Sequence, residues 1–413
     1  MSIKKIIYSN AKLKIFIGIT LSFFVMTTSG YALNTLPGSK FYYYLALPIV
    51  FLSFYSLKKR QQRSLISLPK AGLILITFAV FFSFIMNLNL DYATTNIKFI
   101  MMLFFSYLVY NTTTFEQVVV YFLGAMKVIT IISLILFSVA NYLDYIPSFP
   151  TFVNVNNIEY YNGGVFFLIK KFNEYPVLPG TFRNVGCFWE PGIFASYLII
   201  ALILEIGFKT KTSLLNIGIF TLGLLTTFST AGYLLFVLII FMFFFNYSTL
   251  MAKIFVVSLS GLLLLLVYQN LDQVLKLLLE YNPKMFGKLV VETASSTERI
   301  DSPRANLAIF YEYPIWGSGL GRVNDLYAQI TKGAQTSTIT YALAAFGLSG
   351  ISFILMWIIG IFRIKFLDIF LKILITCLFL IILNKEPHIF FSATYILMFY
   401  FVSNKVKRLS IAK

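Results

Sequence analysis

Apolar residues in this chain run in long blocks, not in the one-sided stripe of a soluble helix or the alternation of a half-buried strand. Crossing the hydrocarbon of a bilayer takes about 20 apolar residues in a helix. The blocks predict twelve spans: 14–34, 41–57, 71–90, 97–111, 118–141, 187–207, 213–228, 231–247, 253–270, 338–361, 366–384 and 387–404. The seventh and eighth are parted only by a short turn around Ser229 and Thr230. Two segments are too long for plain connectors, residues 142–186 and 271–337. Loops of that length are usually functional or disordered, and here many aromatics and few Ser/Gly tracts favour order. In the second, Leu271, Val274, Leu275, Leu278 and Tyr281 recur at helical spacing beside Lys276 and Glu280, which predicts a helix lying on the membrane surface.

Composition supports the same picture. Apolar residues make up 59% and charged residues 12% of 413, with mean hydropathy +0.83, too little polar surface for a soluble domain. The expected fold class is an all-α polytopic membrane protein, a single transmembrane domain over residues 1–413. An aromatic share of 18% suits packed helices with belts at both interfaces. A net charge of +17 could suggest nucleic acid. However, more than half of the 33 Lys and Arg residues flank spans in short segments: Lys4 to Lys14, Lys58 to Lys70, Lys209, Lys211, Lys253, Arg363, Lys365, Lys372 and the tail from Lys405. That is the distribution of cytoplasmic loops, so a nucleic-acid partner is not expected. Both termini are then cytoplasmic and both long segments extracytoplasmic. The apolar stretch after Lys14 spans without a convincing cleavage site, so no cleavable signal is expected. Cys187 and Cys377 form no metal spacing, and the one histidine, His388, cannot build a metal site alone; neither metal nor cofactor is expected.

Candidate chemistry gathers in the long segments. Phe182-Arg183-Asn184-Val185-Gly186-Cys187-Phe188-Trp189-Glu190-Pro191-Gly192 puts an arginine and a glutamate where a span begins. Pro191 suits a first helical turn, so Glu190 falls at the N-terminus, where an anion is favoured. Glu190 could take a proton from a sugar hydroxyl, hold Arg183 in place, or simply cap the helix. In Ser295-Ser296-Thr297-Glu298-Arg299-Ile300-Asp301-Ser302-Pro303-Arg304, the Ser302-Pro303 pair predicts an N-cap and first turn of a helix that stops before Pro314. Arg304 would then sit at the unfavourable end for a cation unless a phosphate binds there with Arg299. The alternative is that Glu298 and Asp301 pair with both arginines at the surface. Pro314-Ile315-Trp316-Gly317-Ser318-Gly319-Leu320-Gly321-Arg322 is a glycine-rich turn whose N–H groups, at Gly319 among others, could approach a phosphate or sugar. It lacks the ending of a P-loop. Lys127 lies within a span, where it can snorkel or serve function. Glu386 and His388 sit at the outer end of the last hairpin. Trp189 and Trp316 are aromatics suited to stacking on sugar rings or anchoring at the interface.

These residues resemble a known family. RNVGCFWEPG is similar to the R-x-x-G-x-F-x-E-P-G stretch of Wzy-type O-antigen and capsular polysaccharide polymerases. The run from SSTER through YPIWGSGLG to AAFGLSG resembles a block those polymerases share with O-antigen ligases. The resemblance covers roughly residues 183–350. It implies an inverting, metal-independent glycosyltransferase of the outer leaflet of a bacterial plasma (inner) membrane, acting on undecaprenyl-diphosphate-linked oligosaccharide, with room for a flippase and a chain-length regulator as partners. By spacing to Pro314, Arg299 matches the family's essential arginine best and Arg304 next, while Arg183 and Glu190 match the first motif directly. The catalytic set implied is Arg299, Arg304 and Glu190, with Arg183, Arg322, Trp189, Trp316, Gly319, Glu386 and His388 around the substrate. Ligases carry His-Asn where this chain reads Gln335-Thr336-Ser337-Thr338, which favours a polymerase over a ligase. The rival from another class is a lipid-linked oligosaccharide flippase, which should concentrate charge within its spans and have short outer loops.

Overall fold

In the computed structural model, the residues described are 67–87, 90–143, 150–153, 159–162, 168–171, 182–269, 294–331, 335–403 and 405–409, with single positions 273, 276 and 280. The expected spans 14–34 and 41–57 and the body of the surface helix expected at 271–281 lie outside them. The described chain is mostly helical: α1 (Leu68–Met86), α2 (Ala93–Thr112), α3 (Phe115–Tyr142), α4 (Pro191–Gly207), α5 (Leu214–Thr226), α6 (Thr230–Tyr247), α7 (Leu250–Gln269), α8 (Ala294–Glu312), α9 (Arg322–Ile330), α10 (Thr338–Phe346), α11 (Ile351–Phe362), α12 (Ile369–Lys385) and α13 (Ser392–Val402). Among the described residues, five stretches are long and apolar enough to cross a bilayer: Leu68–Met86, Leu90–Asn111, Phe115–Tyr142, Thr230–Tyr247 and Thr338–Phe362. Their outward faces carry exposed Ile74, Phe78, Phe81, Ile97, Met101, Ile135, Leu234 and Ile240. Such a surface needs lipid around it, and the protein is membrane-embedded.

Local chemistry sets the helix starts. Thr114 and Gln117 form a reciprocal capping box on α3. Ser213, Ser229, Ser337 and Asp368 each accept a backbone N–H as N-caps of α5, α6, α10 and α12. Ser229 therefore separates α5 from α6 by a true turn. The stretch read as one span over 338–361 is broken: Gly347 at φ 60° ends α10, and a 3₁₀ turn, Gly347–Gly350, leads into α11. Every residue of α4 and of α13 is buried, so these two helices form the centre around which the others pack.

Two features depart from the sequence expectations. The segment 142–186 contains a four-stranded antiparallel meander, β1 (Thr151–Val153), β2 (Glu159–Asn162), β3 (Leu168–Lys171) and β4 (Phe182–Asn184), in the order β1-β2-β3-β4. An all-α description thus omits a small sheet, whose last strand runs directly into the start of α4. The second departure concerns Ser302. Helix α8 begins at Ala294 and carries Pro303 inside it, so Ser302 is not an N-cap and Arg304 is not in a first turn. The expected conflict between Arg304 and a helix dipole does not arise. Ser302 bonds across to another segment instead: its Oγ donates to Gln335 Oε1 (2.7 Å) and accepts from the N–H of Thr336 (3.0 Å).

Opposite ends of the bundle differ in character. At one end, Thr210 N–H donates to the carbonyl of Leu409 (2.9 Å), Arg408 Nη2 donates to Asn246 Oδ1 (3.1 Å), and Lys253 pairs with Asp368. Buried Glu205 accepts there from Lys209 Nζ (2.7 Å), Ser213 N–H (2.9 Å) and Asn216 Nδ2 (3.1 Å). The sheet, the start of α4, the α5–α6 turn and the end of α12 meet at the other.

Candidate functional site

Strand β4 delivers Arg183 to the turn between α5 and α6. Its Nε donates to the carbonyl of Thr227 (2.9 Å) and its Nη2 to that of Phe228 (3.1 Å). Phe228 has φ 48°, unusual for a bulky residue and worth roughly 1–3 kcal/mol of strain that its surroundings must hold. The guanidinium on two consecutive carbonyls supplies that hold. Asn184, fully buried, donates to Ser133 Oγ (3.1 Å) and Thr226 Oγ1 (3.0 Å) and accepts from Gly186 N–H (3.0 Å), which locks the strand-to-helix corner. Gly186 turns that corner at φ 57°, where an added Cβ would lie 3.0 Å from the Phe194 ring.

Glu190 is the N-cap residue of α4 in extended conformation, but its side chain makes no capping bond. It lies near Tyr160 on β2, whose hydroxyl donates to the carbonyl of Trp189. Burial lifts the Tyr160 phenol well above its ordinary value; the negative charge of Glu190 adds to the rise and the Arg183 cation opposes it. One phenol thus feels both charged residues of the motif. Trp189 packs half-buried against Tyr160 and Val185.

The end of α12 closes on the same place. Lys385, buried, donates through Nζ to the carbonyl of Gly192 (3.1 Å) and to Ser229 Oγ (3.2 Å). A Cβ on Gly192 would lie 2.0 Å from Glu386 Oε1, so only glycine lets that carboxylate approach the first turn of α4, a favourable place for an anion. His388 is buried against Phe391 and Tyr197, and its Nε2 has no hydrogen-bond partner among the described residues. Arg183, Glu190, Glu386 and His388, all marked from the sequence, therefore gather around the start of α4. Lys385 was missed, although a basic residue closing an apolar span beside Glu386 is a signal readable from sequence.

A polar seam joins this cluster to the second long segment. Thr338 Oγ1 donates to the carbonyl of Glu386 (2.7 Å), and Ser337 bonds to Asn384. Asn306 Nδ2 donates to Gln335 Oε1 (3.0 Å) and Thr340 Oγ1 (3.0 Å), and Gln335 Nε2 donates back to Asn306 Oδ1 (2.8 Å). The residue standing where the resemblance places a ligase histidine is thus a hydrogen-bonded amide. On α8 the buried stripe is Ser302, Ala305, Asn306 and Ile309, while Arg304 is exposed. The side chain of Arg299 lies outside the described residues.

The glycine-rich turn does something other than cradle an anion. Gly317, Ser318 and Gly319 donate their N–H groups to the carbonyls of Tyr313 (3.1 Å), Ala344 (2.8 Å) and Ala345 (3.0 Å), and Leu348 N–H donates to that of Pro314 (2.8 Å). The turn stitches itself to the break between α10 and α11. Gly319 is thereby committed to structure. Arg322 belongs here too: Nη1 donates to Asn87 Oδ1 (2.8 Å), Nη2 to Tyr313 OH (2.8 Å), and the guanidinium lies 4.8 Å from the Tyr313 ring centre. Trp316 stacks on Phe82 of α1 at 5.0 Å. Arg322, Trp316 and Gly319 thus sit at the far end of α10, roughly 12 Å of helix from Thr338 and Glu386. Among the described residues no group of three or more His, Cys, Asp or Glu could hold a metal ion. No family model matches the chain, and no curated protein is similar to it in sequence.

Proposed function

We propose that this protein is a polysaccharide polymerase. It transfers a growing glycan from undecaprenyl diphosphate onto an incoming lipid-linked repeat unit, at the outer face of a bacterial plasma membrane. The observation that carries the reading is the convergence of Arg183, Glu190, Lys385 and Glu386 around the start of α4, at the end of the bundle away from the basic turns. The positive-inside rule puts that end outside the cell. Cations with carboxylates beside them suit an in-line displacement. A hydroxyl of the acceptor repeat attacks the anomeric carbon with inversion, and the bond from that carbon to the diphosphate breaks. Glu190, at the N-terminus of α4, takes the hydroxyl proton. The leaving diphosphate gains charge as the bond breaks, and fixed guanidinium groups favour that state over the ground state. Arg299 is the guanidinium assigned to the diphosphate, because by its spacing to Pro314 it matches the arginine of the resembling polymerases best; Arg304, exposed on α8, is a peripheral contact.

Purified protein given only lipid-linked repeat units should build a ladder of longer glycans and release undecaprenyl diphosphate. Movement of the lipid-linked units between leaflets without a new glycosidic bond would instead identify a flippase. Glu190→Gln should lower turnover by roughly a hundredfold or more, with the protein still monodisperse in detergent.

A further inference from the structure

We infer that Lys385 is a positioning residue for this transfer, tying the last hairpin to the Arg183–Gly192 segment so that Arg183 and Glu190 are held in fixed register. The inference rests on the polymerase reading. Its ground is a shared turn. Arg183 grips the carbonyls of Thr227 and Phe228, and Lys385 grips Ser229, the next residue of the same turn. Lys385 also holds the carbonyl of Gly192, two residues beyond Glu190. The turn 227–229 is thus held by a cation on each side, and the same ammonium reaches the first turn of α4. An ammonium with only 5% of its residue surface exposed is expensive unless its bonds are met. A hydrophobic residue of similar length would fill the space without that cost, so core packing alone does not account for a lysine at the end of α12. Through Glu386, whose carbonyl accepts from Thr338, the contact continues to the seam under α8. Lys385 is therefore where the two long segments are put into register, which a reaction between two large lipid-linked substrates requires.

The test measures glycan transfer by purified Lys385→Met and Lys385→Arg proteins, with donor and acceptor concentrations varied. Lys385→Met should lower kcat by roughly tenfold or more while KM stays within about threefold, since misplacement of reacting groups acts on the transition state. Lys385→Arg should recover part of the loss, because a cation again reaches Gly192 and Ser229. Ser229→Gly removes one of the two partners with the charge kept and a tolerated N-cap residue at the start of α6, and should lower kcat in the same direction by a smaller factor. If Lys385→Met does not yield monodisperse protein, Ser229→Gly decides alone. Unchanged kcat in the folded variants overturns the positioning role, as does a KM effect without a kcat effect. Failure of the wild-type protein to form any ladder overturns the polymerase reading itself, a separate outcome.

Discussion

Gly317 and Ala345 approach so closely that a Cβ on residue 317 would lie 2.3 Å from the Ala345 carbonyl oxygen. Gly317 also has φ 72°, a region costly to any residue with a side chain. The obstacle is backbone at the break between α10 and α11, which cannot rotate away. Gly317→Ala should therefore cost about 3 kcal/mol or more. Gly319, at φ 86° but with Ser83 Oγ 3.4 Å from its would-be Cβ, has room; Gly319→Ala should cost only about 1–2 kcal/mol. Thermal unfolding in detergent ranks the two, and equal losses would contradict the close-approach argument.

The two arginines of α8 should separate by function. Arg299 is the cation assigned to the diphosphate in the proposed reaction, whereas Arg304 lies exposed on α8. Arg299→Ala should abolish glycan transfer, and Arg304→Ala should reduce it by less than about fivefold. A ladder assay on both variants checks this. The reverse order would move the diphosphate to the exposed face of α8.

Asn306, fully buried, exchanges two hydrogen bonds with Gln335 and donates a third to Thr340. Asn306→Leu leaves Gln335 Nε2 without its acceptor, though Oε1 still accepts from Ser302, and should cost about 2–3 kcal/mol. The paired variant Asn306→Leu with Gln335→Leu should recover part of that loss, since neither amide is then left without its partner. A double-mutant cycle by thermal unfolding gives the coupling directly.

At the opposite end, Glu205 is fully buried and bonded to Lys209. Lys209→Met alone leaves a buried carboxylate supported only by Ser213 and Asn216, and should cost about 3 kcal/mol. Adding Glu205→Leu should return most of that stability. Since this pair lies away from the proposed site, the double variant should keep its transfer rate per folded molecule.

The membrane class, the basic short turns and the start of α4 at Pro191 were set by the chain alone, because each follows from a local rule: blocks of apolar residues, charge beside spans, a proline in a first turn. Ser229 likewise marks the α5–α6 turn through the capping chemistry of its own hydroxyl. Three- and four-residue strands carry too few positions to show a period of two, so the sheet was illegible. Ser302-Pro303 looked like a helix start because the same pair serves that role locally; only packing against Gln335 and Thr336 makes it interior. The fates of the arginines were decided by tertiary contact as well. Arg183 meets carbonyls 44 and 45 residues away, Arg322 meets Asn87 from 235 residues away, and Lys385 meets Gly192 across 193 residues. Residue type and spacing can nominate a cation for phosphate chemistry, but its partners are fixed by which helix ends share one side of the bundle, a property of packing that no window of sequence contains.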